Sequence, residues 1–470
     1  MTAAQGPPDA AAFPRRTLLL RGAAIGAGAT VVGALAGCGG ESAPKPAGLP
    51  RHGDGWDTIR EQFALDPEVA NFSMFLVASP PTRVQKAITN IRHGLDRNAV
   101  DYLNRHQYDK ELALARNAAR YLDSKPEQIA FTDSTTMGLG LLYGSIRLRP
   151  EQEFLTTEHD FYSTHEAIRL RARREGTRAR AIRLYQRVDR TSTDEIVESI
   201  RRGLRPNTRV LALTWVHSGT GLKLPLAEIA EMLRGVNGKR DDDDRVLLCV
   251  DGVHGFGAEA ETPAKLGCDF FSAGCHKWLF GPRGTGVLWS RDPRPTLVGG
   301  AIPSFGPEPF LAWLRRGSRL GLGGVDVPFS TLMSPGGLHT LEHRYALADA
   351  FDSHLLLGRQ RIANRTGELA RRLKEALAAI PGVTVHTPMS RHLSAGLVCF
   401  SVAGAHPLDV VGRLAERKFQ LTPTPYHTRY VRAAPTIVNA ESEIDRLAAA
   451  VQTIALTPTV RAPFRRHIGP

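Results

Sequence analysis

Cysteine is scarce in this chain of 470 residues: there are five, with no C-x-x-C pair and no other spacing that suits a metal ion. Long apolar runs are missing as well. The uncharged stretch Gly22–Gly37 has 16 residues, rich in Gly and Ala, short of the roughly 20 that a membrane-spanning helix needs. No internal repeat is present, and no nucleic-acid-binding motif accompanies the 60 Lys+Arg and 47 Asp+Glu. The net charge of +13 therefore supports only non-specific attraction to anionic surfaces, and a nucleic-acid partner is not expected. An apolar fraction of 42% with 23% charged residues excludes a disordered chain, a collagen-like repeat and a multi-span membrane protein. The length suits two or three domains with a sizeable core.

What is present begins with an export signal. Arg15-Arg16 precedes Thr17-Leu18-Leu19-Leu20-Arg21, and the weakly apolar run that follows ends Leu35-Ala36-Gly37-Cys38. A basic start, an apolar middle and a small-residue end make a secretory signal. The paired arginines resemble a twin-arginine signal, and Leu-Ala-Gly-Cys resembles a lipobox, which implies a lipid on Cys38. A plain secretory signal or an uncleaved anchor are the alternatives. Residues 1–37 are read as the signal, 38–55 as a flexible tether and 56–80 as an N-terminal arm. The mature chain carries 57 basic and 46 acidic residues, a surface suited to the anionic face of an envelope. The expected location is the periplasm or the outer face of the cell membrane, with the lipid as the only membrane contact. Cys249, Cys268, Cys275 and Cys399 lie in apolar stretches and read as buried free thiols, with a disulfide left open by the oxidising compartment.

From residue 81 helical patterns alternate with short apolar runs. Leu155–Thr157, Val210–Leu213 and Val246–Val250 read as buried strands. Thr164–Arg174, with Ser163 or Thr164 as N-cap, and Leu224–Leu233 read as helices. The basic cluster Arg169–Arg190 reads as helix surface and Asp241–Asp244 as a solvated loop. This alternation predicts a mostly parallel sheet covered on both faces, with ligands bound beyond the carboxyl ends of its strands. A helical pattern from Leu341 to Ile380, broken near Gly358, leads to strands at Val383–His386 and Gly396–Val402 and a closing helix Glu441–Ile454. The division expected is a large α/β domain (81–337), a connecting helix with a small α+β C-terminal domain (338–460), and a tail (461–470).

Chemistry concentrates in Phe270–Gly286, which contains His276-Lys277 followed by Gly281-Pro282-Arg283-Gly284-Thr285-Gly286. A lysine among apolar residues is unusual, because burial of a charged amine is costly and depresses its pKa. A near-neutral amine is what Schiff-base chemistry requires. Upstream, Asp251 follows the buried run Val246–Val250 and opens Asp251-Gly252-Val253-His254. A carboxylate at that strand end faces the ligand crevice and can keep a heterocyclic nitrogen protonated.

Asp251-x-x-His254 with His276-Lys277 and the glycine pattern after it resembles the class V aminotransferase family of pyridoxal-phosphate enzymes. The resemblance implies the PLP-dependent transferase fold (fold type I). It also implies Lys277 as the Schiff-base lysine, Asp251 on the pyridine nitrogen, His254 near the ring hydroxyl and His276 near the phosphate. Thr135 and Thr136, at the start of a helix-like run Met137–Tyr143, suit the phosphate of pyridoxal 5'-phosphate. His159 matches the histidine that stacks on the pyridine face. Either His217 or Ser218 reaches the cofactor from the strand-end loop Thr214–Gly221. Arg432 matches the arginine that holds the substrate carboxylate. Ser334-Pro335-Gly336-Gly337 resembles a segment lent to a neighbouring subunit, which implies a homodimer.

Trp215–Pro225 and Gly336–Arg344 resemble the isopenicillin-N-epimerase-like branch, which in turn resembles exported enzymes that tailor pyoverdine siderophores. Persulfide desulfuration is not expected, because Leu421–Tyr430 holds no cysteine and Cys399 lies in a strand-like run. The expected substrate is an amino acid or amino-acid-containing metabolite, altered at its α-carbon by epimerisation, transamination or oxidative decarboxylation. The alternative is a catalytically silent envelope lipoprotein that binds a ligand on the same fold.

Overall fold

The computed structural model describes residue 53, residues 55–317 and residues 326–457. The signal, the lipobox with Cys38 and the tail 461–470 lie outside the described residues.

Seven strands form the central sheet: β1 (Ile129–Thr132), β2 (Glu153–Thr157), β3 (Arg178–Ile182), β4 (Thr208–Thr214), β5 (Leu247–Asp251), β6 (Phe270–Gly274) and β7 (Gly286–Ser290). Their order is β1-β7-β6-β5-β4-β2-β3. The pairs from β6 through β3 are parallel, and β7 runs antiparallel to both its neighbours. Six of the strands are buried along their whole length, as near-continuous apolar runs between two helical layers should be. The exception is the edge strand β3, whose exposed Arg178 discourages edge-to-edge pairing. There Arg180 forks onto Glu153 at 2.7–3.1 Å. The basic cluster is thus helix surface only as far as Glu175, apart from Arg171, which is buried and donates to the Tyr143 carbonyl, and its next part is this charged sheet edge.

Two helix starts differ from expectation. The helix after β2 spans Tyr162–Glu175 with Phe161 at the N-cap, and neither Ser163 nor Thr164 caps it. Phe161's carbonyl already accepts the amides of Thr164 and His165, so the turn is set before either hydroxyl is reached. The helix expected at Leu224 begins at Leu226 and runs to Asn237. Val216–Lys223 and Leu222–Ser394 bridges hold the preceding residues extended, and Leu224 donates its amide to Trp215.

Two helices that meet at an extended Asn98 (φ −165°, ψ 92°), whose Oδ1 accepts the Asp101 amide, span Thr82–Leu122 and pack along Leu341–Leu357, which ends where expected, at Gly358 with φ 86°. Beyond it, β8 (Val383–Val385), β9 (Val398–Val402), β10 (Thr422–Pro423) and β11 (Val431–Ala433) form an antiparallel sheet in the order β10-β11-β9-β8. Helices Arg359–Ala378 and Glu441–Leu456 cover it, with Leu369, Leu373, Phe400, Ile444 and Leu447 in the shared core. The arm enters this core through Ala70 and Phe72, and Ala70–Asn71 pairs in parallel with Phe419–Gln420.

Candidate active site

The register of the sheet lines up one set of strand ends. Thr214 on β4 faces Asp251 on β5, and Asp251 faces Ser272 on β6. Beyond them lies a cavity of about 150 Å³, into which the chain brings Asp251, His254, His276, Lys277, Thr135, Thr136 and Arg432. The sharp turn after β5 needs glycine: a Cβ on Gly252 would sit 1.9 Å from the Phe271 ring.

Asp251 is buried, and its Oδ1 accepts the Val253 amide at 3.1 Å. Burial pushes its carboxyl up to about 6, opposed by that amide and by Lys277. Burial also pulls the Lys277 amine down to about 8, against the pull of Asp251. His254 is held neutral by burial, and its Nδ1 accepts the Trp278 indole N–H at 3.4 Å, which leaves Nε2 for a ligand. The His276 Nδ1 and Thr214 Oγ1 atoms are buried without a hydrogen-bond partner. Such orphans are costly in an interior and suit a bound polar group.

The helix expected at Met137 starts earlier, at Thr135, and extends to Ser145. Ser134 caps it by accepting the Met137 amide at 3.1 Å, and its carbonyl accepts the Gly138 amide. The amides of Thr135 and Thr136 are therefore first-turn donors at the cavity, where the helix end favours an anion. The Thr135 hydroxyl accepts the Gly274 amide at 2.7 Å, which ties the helix start to the end of β6.

Arg432 projects from β11. It is 3% exposed, donates from Nε to Thr422 Oγ1 at 3.2 Å and from Nη1 to Ser218 Oγ at 2.8 Å, and makes no ion pair among the described residues. Of the two loop candidates, Ser218 lines the cavity. His217 is buried with both ring nitrogens unpartnered. Ser334 Oγ accepts the Phe131 amide at 3.1 Å within the same chain.

His159 is not among the residues that line the cavity. It stacks on Tyr185, with centroids 4.2 Å apart, and its Nε2 accepts the Leu184 amide. Burial pulls it down to about 4, aided by nearby His217. Phe161, two residues on, lines the cavity instead. Asp160 between them is buried and takes four donors: Thr156 Oγ1, Thr157 amide and Thr157 Oγ1 at 2.8 Å, and the Thr214 amide at 2.6 Å. It ties the ends of β2 and β4 together. Sequence reasoning missed Asp160 and Phe161, and it missed Phe75 and Leu76 of the arm. The only sequence signal for Asp160 was its place three residues after a strand end.

Cys249, Cys268, Cys275 and Cys399 are buried free thiols, with Cys399 pushed up to about 12 by burial. Where a nucleophilic loop cysteine would be needed, the Tyr426 ring lies edge-on to Phe161.

The aminotransferase class V family matches residues 82–305. Isopenicillin N epimerase of Streptomyces clavuligerus is 27% identical over 412 residues, covering 85% of this chain and 98% of that protein. The enzyme of the same name from Amycolatopsis lactamdurans is 28% identical over the same shares. A cysteine desulfurase of Pectobacterium carotovorum is 27% identical over 70% of this chain and 78% of its own. Among solved structures, a C-DES variant with glycine covalently linked to its PLP cofactor superposes with a TM-score of 0.73 at 21% identity. That match covers 84% of this chain and 98% of the other, and gives this chain the fold of the PLP-dependent transferases (fold type I).

Proposed function

We propose, from the premise that residues 82–305 belong to the class V aminotransferases, that this protein is an exported pyridoxal-phosphate enzyme. It acts at the α-carbon of an amino acid or amino-acid-containing metabolite. The observation that carries the reading is the convergence on one cavity of Asp251, Lys277 and Arg432, the last with no ion pair among the described residues.

The residues fit the cofactor. The Ser134–Thr136 helix start and the orphan Nδ1 of His276 would hold its phosphate. Asp251 would meet the pyridine nitrogen, Nε2 of His254 the ring hydroxyl, and Lys277 the aldehyde carbon. When bound, the group supplies an electron sink for charge left on the α-carbon. The chain supplies the rest. With its amine lowered to about 8, Lys277 is partly neutral near physiological pH, and Nζ can take the α-proton. Arg432 keeps spare N–H donors for the substrate carboxylate. A proton returned to the opposite face gives epimerisation; the same set serves transamination and oxidative decarboxylation. The likeness to isopenicillin N epimerases puts epimerisation first among the assays. Export by the twin-arginine route, a lipid on Cys38 and assembly as a homodimer complete the proposal.

The test is an absorbance spectrum of the mature protein before and after borohydride, with mass mapping of the modified residue. A visible cofactor band trapped on Lys277, lost in Lys277→Ala together with turnover, is expected. Absence of any band after addition of pyridoxal phosphate, or full activity of Lys277→Ala, would overturn the proposal in favour of the silent lipoprotein.

A further inference from the structure

We propose that Phe75, on the N-terminal arm, is a positioning residue for Arg432, and that its ring face aims the guanidinium at the substrate carboxylate. This rests on the reading of Arg432 as the carboxylate anchor and asks what keeps it ready. A buried guanidinium without a carboxylate is costly, and the protein must offset that cost without neutralising the charge it needs. Two hydroxyls and one carbonyl, from Thr422 and Ser218, take part of the load. Against the guanidinium also lies the Phe75 ring, whose centroid is 4.5 Å from its central carbon. An aromatic face attracts a cation yet occupies none of its N–H donors, so the fork stays free for a bidentate carboxylate. An acidic residue in that place would fill the fork instead.

The ring cannot drift. Phe75 is fully buried, and its arm is pinned on both sides. Phe72 exchanges backbone bonds with Gln420 and Ala434, at 2.9 and 2.8 Å, next to the strands that carry Thr422 and Arg432. Three residues after Phe75, Ala78 donates its amide to the His276 carbonyl at 2.9 Å, beside Lys277. Phe75 also meets His254 edge-on at 5.9 Å, and the next residue, Leu76, lines the cavity. One short segment therefore touches the carboxylate anchor and the cofactor-binding side chains together.

The experiment uses the holoenzyme and Phe75→Leu, which keeps an apolar filling and removes the π face. Each is titrated with a panel of L- and D-amino acids and with their carboxamides, read through the absorbance of the bound cofactor. Amino-acid dissociation constants should rise roughly five- to tenfold. The loss should fall mainly on KM, while carboxamide binding and cofactor affinity change far less. Phe75→Tyr keeps the face and should recover most of the loss; Phe75→Met serves in place of Leu if the latter folds poorly. In an Arg432→Lys background the Phe75→Leu change should cost less than about twofold more. Equal losses in both backgrounds, equal losses for acids and carboxamides, or unaltered binding by Phe75→Leu would each overturn the proposal. If Arg432→Lys alone leaves amino-acid affinity intact, the carboxylate reading of Arg432 falls first, and this inference falls with it.

Discussion

Asp160→Asn is the most informative single change outside the residues assigned to chemistry. Oδ2 of Asp160 accepts three donors, from Thr156 and Thr157, and Oδ1 accepts the Thr214 amide. An amide of the same shape can accept on one side only. The better orientation keeps its oxygen toward Thr156 and Thr157 and turns the NH2 onto the Thr214 N–H, leaving that buried donor unpaired at a cost of about 1–3 kcal/mol. The three retained bonds lose their ionic character, which removes roughly a further 0.5–1 kcal/mol each. The expected total is about 2.5–6 kcal/mol, read as a lower urea midpoint for the cofactor-free protein with unchanged slope. Because Thr214 lines the cavity, cofactor affinity should weaken in parallel. Thr157→Val, which removes one donor and leaves the carboxylate paired, should lose only about 1 kcal/mol. A midpoint and cofactor affinity for Asp160→Asn equal to those of the parent would refute the assignment of this carboxylate as the tie between β2 and β4.

The other expectations are as follows. Asp251 is raised from 3.8 to about 6 in the fold, so its contribution to cofactor-free stability is full below its unfolded value and is lost as pH rises through about 6. That amounts to up to about 3 kcal/mol between pH 4 and 6, and Asp251→Asn should flatten this part of a stability–pH curve. Phe161→Ala should weaken cofactor binding roughly tenfold by spectral titration, whereas His159→Ala should change it much less. The reverse order would place His159 at the ring face. Gly252→Ala drives a Cβ into Phe271 and should cost about 1–3 kcal/mol by thermal unfolding.

Much of the architecture is legible because burial on both faces writes strands as short apolar runs. The runs ending at Leu213 and Val250 mark the ends of β4 and β5 to within a residue, and the break near Gly358 follows from a positive φ that glycine adopts freely. Asp251 and Lys277 stand out for the same reason, as ionisable groups in apolar company. The two helices of Thr82–Leu122 leave little trace, since from Arg92 to Lys110 they are largely exposed and show no apolar stripe. His159 and Phe161 show the limit of strand-end arguments. Once the chain leaves β2, the turn around Asp160 decides which side chain meets the cavity, and that turn depends on a bond to Thr214 on another strand. Phe75 was silent because its partners, His254 and Arg432, are remote in sequence.

The arm also dictates when the site can exist at all. The Asn439 side chain donates to the Asn71 carbonyl across 368 residues of chain, and Phe72 joins Ala434 nearby. The first wall of the cavity to leave the ribosome thus waits for nearly the last. Partly synthesised chains have the Lys277 loop without the strand that carries Arg432, and so offer a ligand a half-built pocket. Under the proposed function, tight capture of the cofactor would therefore wait until the strand that carries Arg432 has been made.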